Sequence, residues 1–236
     1  MTSKYIEDII FTRGGKWEFD EHVSMIFDDH VRKSIPCYQA IQELIAQISK
    51  KLLDPGALVY DLGTATGEII YNLNEANDNK DIHYIGIDRS LPMLKKAKNK
   101  CKNIGDAKFY NEKIETFNYE PSDLIVAAFT FQFIPIKERK PTLHKIKEAL
   151  KSNGSFIFCE KITYQNQEKA DFFVEIYEDW KLNHFSREEV EAKRESLKDV
   201  MQPLSLPQNI DLLNEAGFQE LTVFFKWCNF VCILAR

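Results

Sequence analysis

The chain alternates between short apolar runs and longer amphipathic runs, and this rhythm limits the folds that it can adopt. From residue 57 to residue 162 the apolar runs are ALVYDLG, IHYIGID, AKFYNEK, SDLIVAAFTF and SFIFCEKI. Helical patterns such as GEIIYNLNEA and SLPMLKKAKNKC lie between most of them. Buried strands that alternate with helices indicate a parallel sheet with right-handed crossovers. The 236 residues, 44% of them hydrophobic, suffice for one core of this kind.

Turn and stop signals mark the ends of the predicted elements. A helix over 37–53 precedes the first strand and ends at DPG, and a helix over 138–154 ends at Gly154. Residues 165–200 interrupt the rhythm with a charged, aromatic helical segment, which we interpret as an inserted lobe. A last helix over 207–218 stops at Gly217. The closing run ELTVFFKWCNFVCILAR is predicted to form an antiparallel hairpin of two edge strands around KWCN.

Composition disfavours several classes of protein. The net charge of -5 gives no basic footprint, so direct nucleic-acid binding is not expected. The start MTSKYIEDII has no secretory apolar region, and no apolar run approaches the length of a membrane span, so we expect a cytoplasmic protein without a membrane partner. The five cysteines form no CxxC pair and the five histidines no HExxH motif, so neither a disulfide framework nor a bound metal is expected.

The segment DLGTATG, residues 61–67, follows a strand pattern and opens a helix pattern. It lacks the lysine of a phosphate-binding P-loop, and its Gly-x-x-x-Gly spacing is not that of a dinucleotide fingerprint. A carboxylate at Asp88, at the end of the next strand, is placed to accept hydrogen bonds from both ribose hydroxyls. A glycine loop without phosphate specificity and a ribose carboxylate together favour a nucleoside ligand such as S-adenosylmethionine.

Each feature also has a purely structural interpretation, in which Gly63 and Gly67 make a tight turn and Asp88 caps a helix. The order of elements nevertheless predicts an α/β, Rossmann-like class I methyltransferase fold, with a mostly parallel seven-stranded sheet, a C-terminal antiparallel hairpin and an inserted helical lobe. We expect one S-adenosylmethionine-binding domain over 1–236, with an N-terminal helical segment over 1–53 and the insertion at about 163–202.

Five stretches together resemble the carboxy-S-adenosyl-L-methionine synthase family, namely GKWEFDEHVSMIFDDHVRKSIPCY (15–38), YDLGTATG, FTFQFIP (129–135), CEKI (159–162) and AKRESLKDVM (192–201). The resemblance runs from about residue 15 to the C-terminus. It implies a transferase that converts S-adenosyl-L-methionine and prephenate into carboxy-S-adenosyl-L-methionine and phenylpyruvate. It also implies a homodimer, and a separate partner enzyme that uses the product to carboxymethylate the wobble uridine of tRNA.

The resemblance further implies which residues bind the cofactor. Arg194 is implied to be catalytic, as the clamp on the carboxylate of the modified cofactor, since a guanidinium pairs well with a carboxylate. The alternative is an ordinary surface arginine beside Glu191 or Lys198. The other matching positions are Tyr38, Gly63, Thr64, Ala65, Asp88, Arg89, Lys113, Ile114 and Ala128. Tyr38 has the alternative of a core aromatic residue. Trp17 and Lys161 lie in matching blocks without an assigned role.

The sequence departs from the family pattern near the adenine and methionine positions. Lys113 and Ile114 stand where an acidic residue is typical, and Ala128 stands where asparagine is typical. Glu112 or Glu115 is a possible substitute for the acid. Two other functions stay open on this reading. One is an ordinary methyltransferase acting on a small molecule or tRNA, and the other is a cofactor-binding scaffold without activity.

Overall fold

A computed structural model of the chain describes residues 17–78 and 80–236, and the parts of the predictions that fall on residues 1–16 lie outside this description. The helices in the described ranges are α1 (Glu21–Ser34), α2 (Tyr38–Leu52), α3 (Glu68–Ala76), α4 (Leu91–Lys100), α5 (Ile136–Ala149), α6 (Gln167–Lys181), α7 (Arg187–Ser196) and α8 (Leu206–Glu215). None of these helices is long and apolar enough to cross a membrane.

Seven strands form one sheet. They are β1 (Leu58–Leu62), β2 (His83–Ile87), β3 (Ala107–Tyr110), β4 (Ser122–Ala128), β5 (Leu150–Lys161), β6 (Leu221–Trp227) and β7 (Phe230–Ala235). Their order across the sheet is β3-β2-β1-β4-β5-β7-β6, and β1 to β5 run parallel. The pair β6 and β7 forms the antiparallel hairpin. The predicted fold class is therefore confirmed.

The hairpin corrects one detail of the prediction, because only β6 is an edge strand. β7 pairs with β5 on one side and with β6 on the other. The burial of the two strands agrees with these positions. Five of the six residues of β7 are buried, as in an interior strand, whereas the residues of β6 are half-buried or exposed.

Gly154 does not end a helix, so that prediction was wrong. α5 already ends at Ala149, and Gly154 lies inside β5. The pairing between β4 and β5 shifts between Ser122 and Leu124, so the chain around Gly154 forms an irregularity in the ladder. A Cβ atom at this position would lie 2.9 Å from the carbonyl oxygen of Ser122, so the glycine permits a close backbone approach.

The other stop signals were predicted correctly. Gly217 follows α8 with φ of 99°, the left-handed conformation of a helix C-terminus. α2 ends at Leu52, just before the predicted Pro55–Gly56 turn. The 165–200 segment is helical, with α6 and α7, whereas the assignment of the chain to one domain stays a prediction.

Two hydrophobic clusters, whose members come from the sheet and the flanking helices, form the core. One contains buried residues of α5 and α8, including Leu143, Ile146 and Leu213. The other contains buried residues of α2 and α3, including Ile41 and Ile70. Because β1, β2, β4 and β5 are parallel, their carboxyl ends meet at one edge of the sheet. In open α/β sheets this edge is where ligands bind.

Candidate functional site

The glycine loop begins directly after β1 and is held by the end of β2. The N–H groups of Gly63 and Thr64 both donate to the carbonyl oxygen of Ile87, at 2.8 and 3.0 Å. Gly63 has φ of 72°, and a Cβ atom there would lie 2.5 Å from Oγ1 of Thr130. Thr130 itself donates from Oγ1 to the carbonyl oxygen of Leu62 at 2.7 Å. The loop therefore needs glycine at residue 63 for both its backbone conformation and its packing.

We expect Gly63→Ala to destabilise the fold by about 1–3 kcal/mol, because it forces a side chain into the left-handed region and against Thr130. Chemical denaturation measures this change. Gly105→Ala is the matched control, since no atom lies within 4 Å of a Cβ built at Gly105. Equal stability of the two variants would contradict this account of the loop.

Asp88 and the glycine loop are in direct contact, as the sequence analysis required. Oδ2 of Asp88 accepts the N–H of Ala65 at 2.9 Å, and Oδ1 accepts the N–H of Ser90 at 2.7 Å. Ser90 is the N-cap of α4, so the interpretation of Asp88 as a helix cap was wrong. The carboxylate is partly exposed, and each oxygen keeps further acceptor capacity for a ribose hydroxyl. Arg89, beside it, is exposed.

Burial raises the pKa of Asp88, while the N–H groups of Ser90 and Ala65 and the charge of Arg89 oppose that rise. Ala65 has φ of 47°, an uncommon conformation for a residue with a side chain. Its N–H group is the one that donates to the carboxylate. The strained residue is thus the one that joins the two predicted motifs, and such strain is typical of functional sites.

Asp61 and Tyr38 lie beneath the loop. Asp61 is 1% exposed and accepts the hydroxyl of Thr64 at 2.6 Å. Burial raises its pKa to about 7. Tyr38 is the first residue of α2, and burial, followed by the charges of Glu68, Asp28 and Asp61, raises the pKa of its phenol far above the usual value. Tyr38 is therefore a neutral hydroxyl group within electrostatic reach of the loop.

A polar network that the sequence analysis missed fastens α1 and α4 to the loop. The hydroxyl of Thr66 donates to Asp28 at 2.5 Å, and Lys100 pairs with Asp28 at 2.8 Å and with Glu68 at 2.5 Å. Arg32 also pairs with Glu68, at 3.0 Å. The available signal was Asp28, which lies in the 15–38 block that carries the resemblance.

Of the residues predicted near adenine and methionine, Lys113 and Ile114 lie in the loop after β3 and Ala128 ends β4, and their roles stay predictions. Lys113 is exposed, and its carbonyl oxygen accepts the N–H groups of Thr116 and Phe117. Ile114 is 6% exposed and belongs to the hydrophobic cluster that contains Leu143 and Leu213. Ala128 is the last residue of β4, where it pairs with Cys159 of β5.

Arg194 lies in the last turn of α7, away from direct contact with the loop. Its Nη1 contacts Oε1 of Glu178 on α6 at 3.0 Å, rather than Glu191 or Lys198 as the surface interpretation supposed. The end of α7 is nevertheless tied to the site. The N–H of Trp17 donates to the carbonyl oxygen of Ser196 at 2.9 Å, and Trp17 and Leu197 share a cluster with Ala65. The clamp role stays a prediction.

Glu160 is a second buried acid near this edge of the sheet. It is 2% exposed, its Oε1 accepts the N–H of Phe131 at 2.9 Å, and burial raises its pKa to about 8. Between its usual pKa and this raised value the folded chain binds a proton that the unfolded chain has lost. Asp61 behaves in the same way up to about pH 7. Both groups therefore make the free energy of unfolding fall as pH rises.

We expect Glu160 and Asp61 each to lower the free energy of unfolding as pH rises from about 5, by up to about 1.4 kcal/mol per pH unit, until the pH reaches their raised pKa values of about 8 and about 7. Glu160→Gln removes one contribution, so its stability should fall less with pH than that of wild type. Urea denaturation of both proteins at several pH values measures the difference. Glu220→Gln, at an exposed position, is the control. The same pH dependence in wild type and Glu160→Gln would contradict the assignment.

Within residues 17–78 and 80–236 there is no group of three or more histidine, cysteine or acidic side chains arranged to hold a metal ion. Cys159 and Cys232 are fully buried in the sheet, as their apolar surroundings in the sequence indicate.

Comparison with solved structures gives the class of protein. An O-methyltransferase family protein from Burkholderia thailandensis superposes with a TM-score of 0.66 at 11% identity, covering 92% of this chain and 60% of that chain. A putative O-methyltransferase from Nostoc punctiforme gives 0.63 at 16% identity, covering 91% and 58%. Residues 53–216 match a methyltransferase domain family. The fold is that of the class I methyltransferases.

Sequence relatives then give the particular family. A carboxy-S-adenosyl-L-methionine synthase from Nautilia profundicola is 36% identical over 234 residues, which covers 98% of this chain and 99% of that protein. The Helicobacter pylori protein of the same name, from strain Shi470, is 36% identical over 223 residues, covering 92% and 93%. The chain belongs to the carboxy-S-adenosyl-L-methionine synthase family.

Proposed function

We propose that the chain binds S-adenosyl-L-methionine at the glycine loop and converts it to carboxy-S-adenosyl-L-methionine. The observation that supports the proposal is that the backbone N–H donors of the loop already have hydrogen-bond partners. Four of its N–H groups are already used within the protein, at Gly63, Thr64, Ala65 and Gly67. A loop with its donors engaged is a poor phosphate cradle, which favours a ligand without phosphates. Family membership supplies the particular reaction.

The chain's own residues supply binding and orientation. Asp88 accepts the ribose hydroxyls, and Ala65 and Gly63 allow the nucleoside to approach the backbone. Tyr38 offers a neutral hydroxyl group, since the pKa of its phenol is raised. Arg194 provides a positive charge for the carboxylate that the reaction adds, once it leaves Glu178. These roles need no bound metal.

The carboxyl donor in this proposal is prephenate. Prephenate loses its ring carboxyl as carbon dioxide and its ring hydroxyl as it aromatises to phenylpyruvate. The sulfonium methyl group of S-adenosyl-L-methionine loses a proton, and the resulting ylide carbon forms the new bond to carbon dioxide. The lost proton and hydroxyl leave as water, so the atoms balance. The site must hold carbon dioxide in place until the bond forms.

We also propose the wider setting that the family resemblance implies. The product serves a separate enzyme that carboxymethylates the wobble uridine of tRNA, and this chain works in the cytoplasm without binding tRNA itself. The net charge of -5 supports the last point. The chain acts as a homodimer, as the family resemblance implies.

Mass spectrometry of the small molecule released from the purified protein tests the proposal directly. We expect a mass of S-adenosyl-L-methionine plus one carboxyl group, and the same product when the stripped protein receives S-adenosyl-L-methionine and prephenate. Unmodified S-adenosyl-L-methionine, with methylated products in place of carboxylation, would instead favour an ordinary methyltransferase. Failure of equilibrium binding to S-adenosyl-L-methionine would indicate an inactive scaffold.

A further inference from the structure

Three lysine side chains from separate elements converge on two aromatic rings. Lys161 ends β5, Lys181 ends α6 and Lys193 lies on α7. The Nζ atoms of Lys161 and Lys181 lie 4.5 and 4.8 Å from the ring centre of Tyr177. The Nζ atom of Lys193 lies against the ring of Trp17. We call Lys161, Lys181 and Lys193 the lysine cluster.

The lysine cluster has no ion-pair partner among the residues that the structure describes. Glu178, whose charge acts on Lys161 and Lys181, pairs with Arg194 instead. Burial and repulsion between the amines lower the pKa of Lys161 to about 8, while burial lowers that of Lys181 to about 8 against the charge of Glu178. Burial and the charge of Lys181 also lower the pKa of Lys193. Buried like charges are costly unless an opposite charge joins them.

A cavity beside the cluster contains polar atoms without partners. It is lined by His30, Ser34, Glu189, Lys181 and Lys193, together with apolar side chains. His30 is 7% exposed, and its Nδ1 has no hydrogen-bond partner in the described part of the chain. Oε1 of Glu189 is likewise buried without a partner there. The cavity has a volume of about 10 Å³, the size of one water molecule, so it shows where polar atoms lack partners and is not itself the space for a larger ligand.

The cluster lies at the same edge of the sheet as the glycine loop. Lys161 is the last residue of β5, at its carboxyl end, and β5 pairs with β4. Its N–H donates to the side chain of Gln132 at 3.0 Å, and Gln132 donates to the carbonyl oxygen of Phe129 at 3.2 Å. Trp17, which Lys193 contacts, shares a hydrophobic cluster with Ala65 of the loop. The amines therefore lie between the helical lobe and the proposed cofactor site.

We infer that the lysine cluster is the recognition site for the carboxylates of the co-substrate, a dicarboxylate with a six-membered ring. The inference rests on the proposed function, in which one carboxylate is transferred and the other must be held. Ammonium groups suit this task because they bind an anion as point charges in several orientations. Binding would supply the counter-charge that the described residues lack.

Single Lys161→Met and Lys181→Met variants test the inference. We expect the KM for prephenate to rise about 10- to 100-fold in each, as for loss of a hydrogen bond to a charged group. The affinity for S-adenosyl-L-methionine, measured calorimetrically, should stay within about 2-fold of wild type. The melting temperature should not fall, because each substitution removes an uncompensated buried charge. Lys169→Met, exposed on the same helix as Lys181, is the control.

A measurement on the wild-type protein keeps the test independent of folding. The amines lose their protons as pH rises through about 8, so the affinity for prephenate should be weaker at about pH 9 than at about pH 7. The charged and titratable groups that face the amines are Glu178, Arg194, Glu189 and His30. Burial already lowers the pKa of His30 below its usual value, so His30 does not produce this fall.

The outcomes separate this inference from the proposed function. An unchanged KM in both variants, or an equal loss of S-adenosyl-L-methionine affinity, would overturn the site while carboxylation still stands. If wild type binds S-adenosyl-L-methionine but forms no carboxylated product, the proposed function fails. Calorimetry with prephenate alone then decides the site. Binding by wild type that both variants lose supports the lysine cluster, and absence of binding by wild type overturns it.

Discussion

Arg194→Ala is expected to weaken binding of carboxy-S-adenosyl-L-methionine by about 2–5 kcal/mol, or about 30-fold to several thousand-fold, and to leave binding of S-adenosyl-L-methionine nearly unchanged. Only the carboxylated ligand carries the group that the guanidinium would contact. In the structure the Arg194 side chain is 52% exposed and forms an ion pair with Glu178. Exposed ion pairs contribute little to the free energy of folding. Isothermal titration with both ligands measures the difference, and denaturation should show little change in stability.

Two variants sharpen this experiment. Arg187→Ala removes an arginine from the other end of the same helix and should affect neither ligand. Glu178→Gln removes the partner that competes for Arg194 and should maintain or strengthen binding of the carboxylated ligand. Equal losses for both ligands in Arg194→Ala would refute the clamp, and Arg194 would then be a surface charge.

Asp88→Ala is expected to weaken binding of both ligands to a similar extent, by about 150-fold or more, because both carry the same ribose and each of its two hydrogen bonds to the carboxylate contributes about 1.5–3 kcal/mol. The same carboxylate also fixes the N–H groups of Ala65 and Ser90, so the loop loses order as well. Asp88→Asn retains one acceptor oxygen, so its affinity for each ligand should lie between those of wild type and Asp88→Ala.

Asp106→Ala is the control for this prediction. Asp106 precedes β3 at the opposite edge of the sheet and contacts His83 and Lys108 instead of the loop. It should leave both affinities unchanged. A selective loss for one ligand in Asp88→Ala would mean that the ribose assignment is wrong.

The glycine loop and Asp88 show what local sequence reveals about a site. Glycine after a buried strand and an acid after the next strand are both signals of chain position, and parallel strands bring their ends together without further information. The hydrogen bond from Ala65 to Asp88 was not predictable, because it depends on how the folded loop lies against the end of β2. The prediction that Gly154 ends a helix failed for a related reason. A glycine marks an unusual backbone requirement without saying whether a helix end or a strand irregularity imposes it.

Arg194 and Lys161 show the limit of a resemblance. It supplied a role for Arg194 but not its ion pair with Glu178, and it supplied no role for Lys161. Asp28 lay in the matching N-terminal block, yet only the folded chain shows that it accepts the hydroxyl of Thr66 and pairs with Lys100.

The sequence by itself determined the class of fold and the place of the glycine loop. Periodicity and stop signals are local properties, and burial of apolar faces leaves few arrangements for alternating strands and helices. The tertiary structure decided which side chains meet. Lys161, Lys181 and Lys193 are far apart in the chain and each looks like an ordinary surface lysine, but packing of the lobe on the sheet edge places them around Tyr177 and Trp17. Contacts between distant segments depend on that packing, which no local pattern encodes.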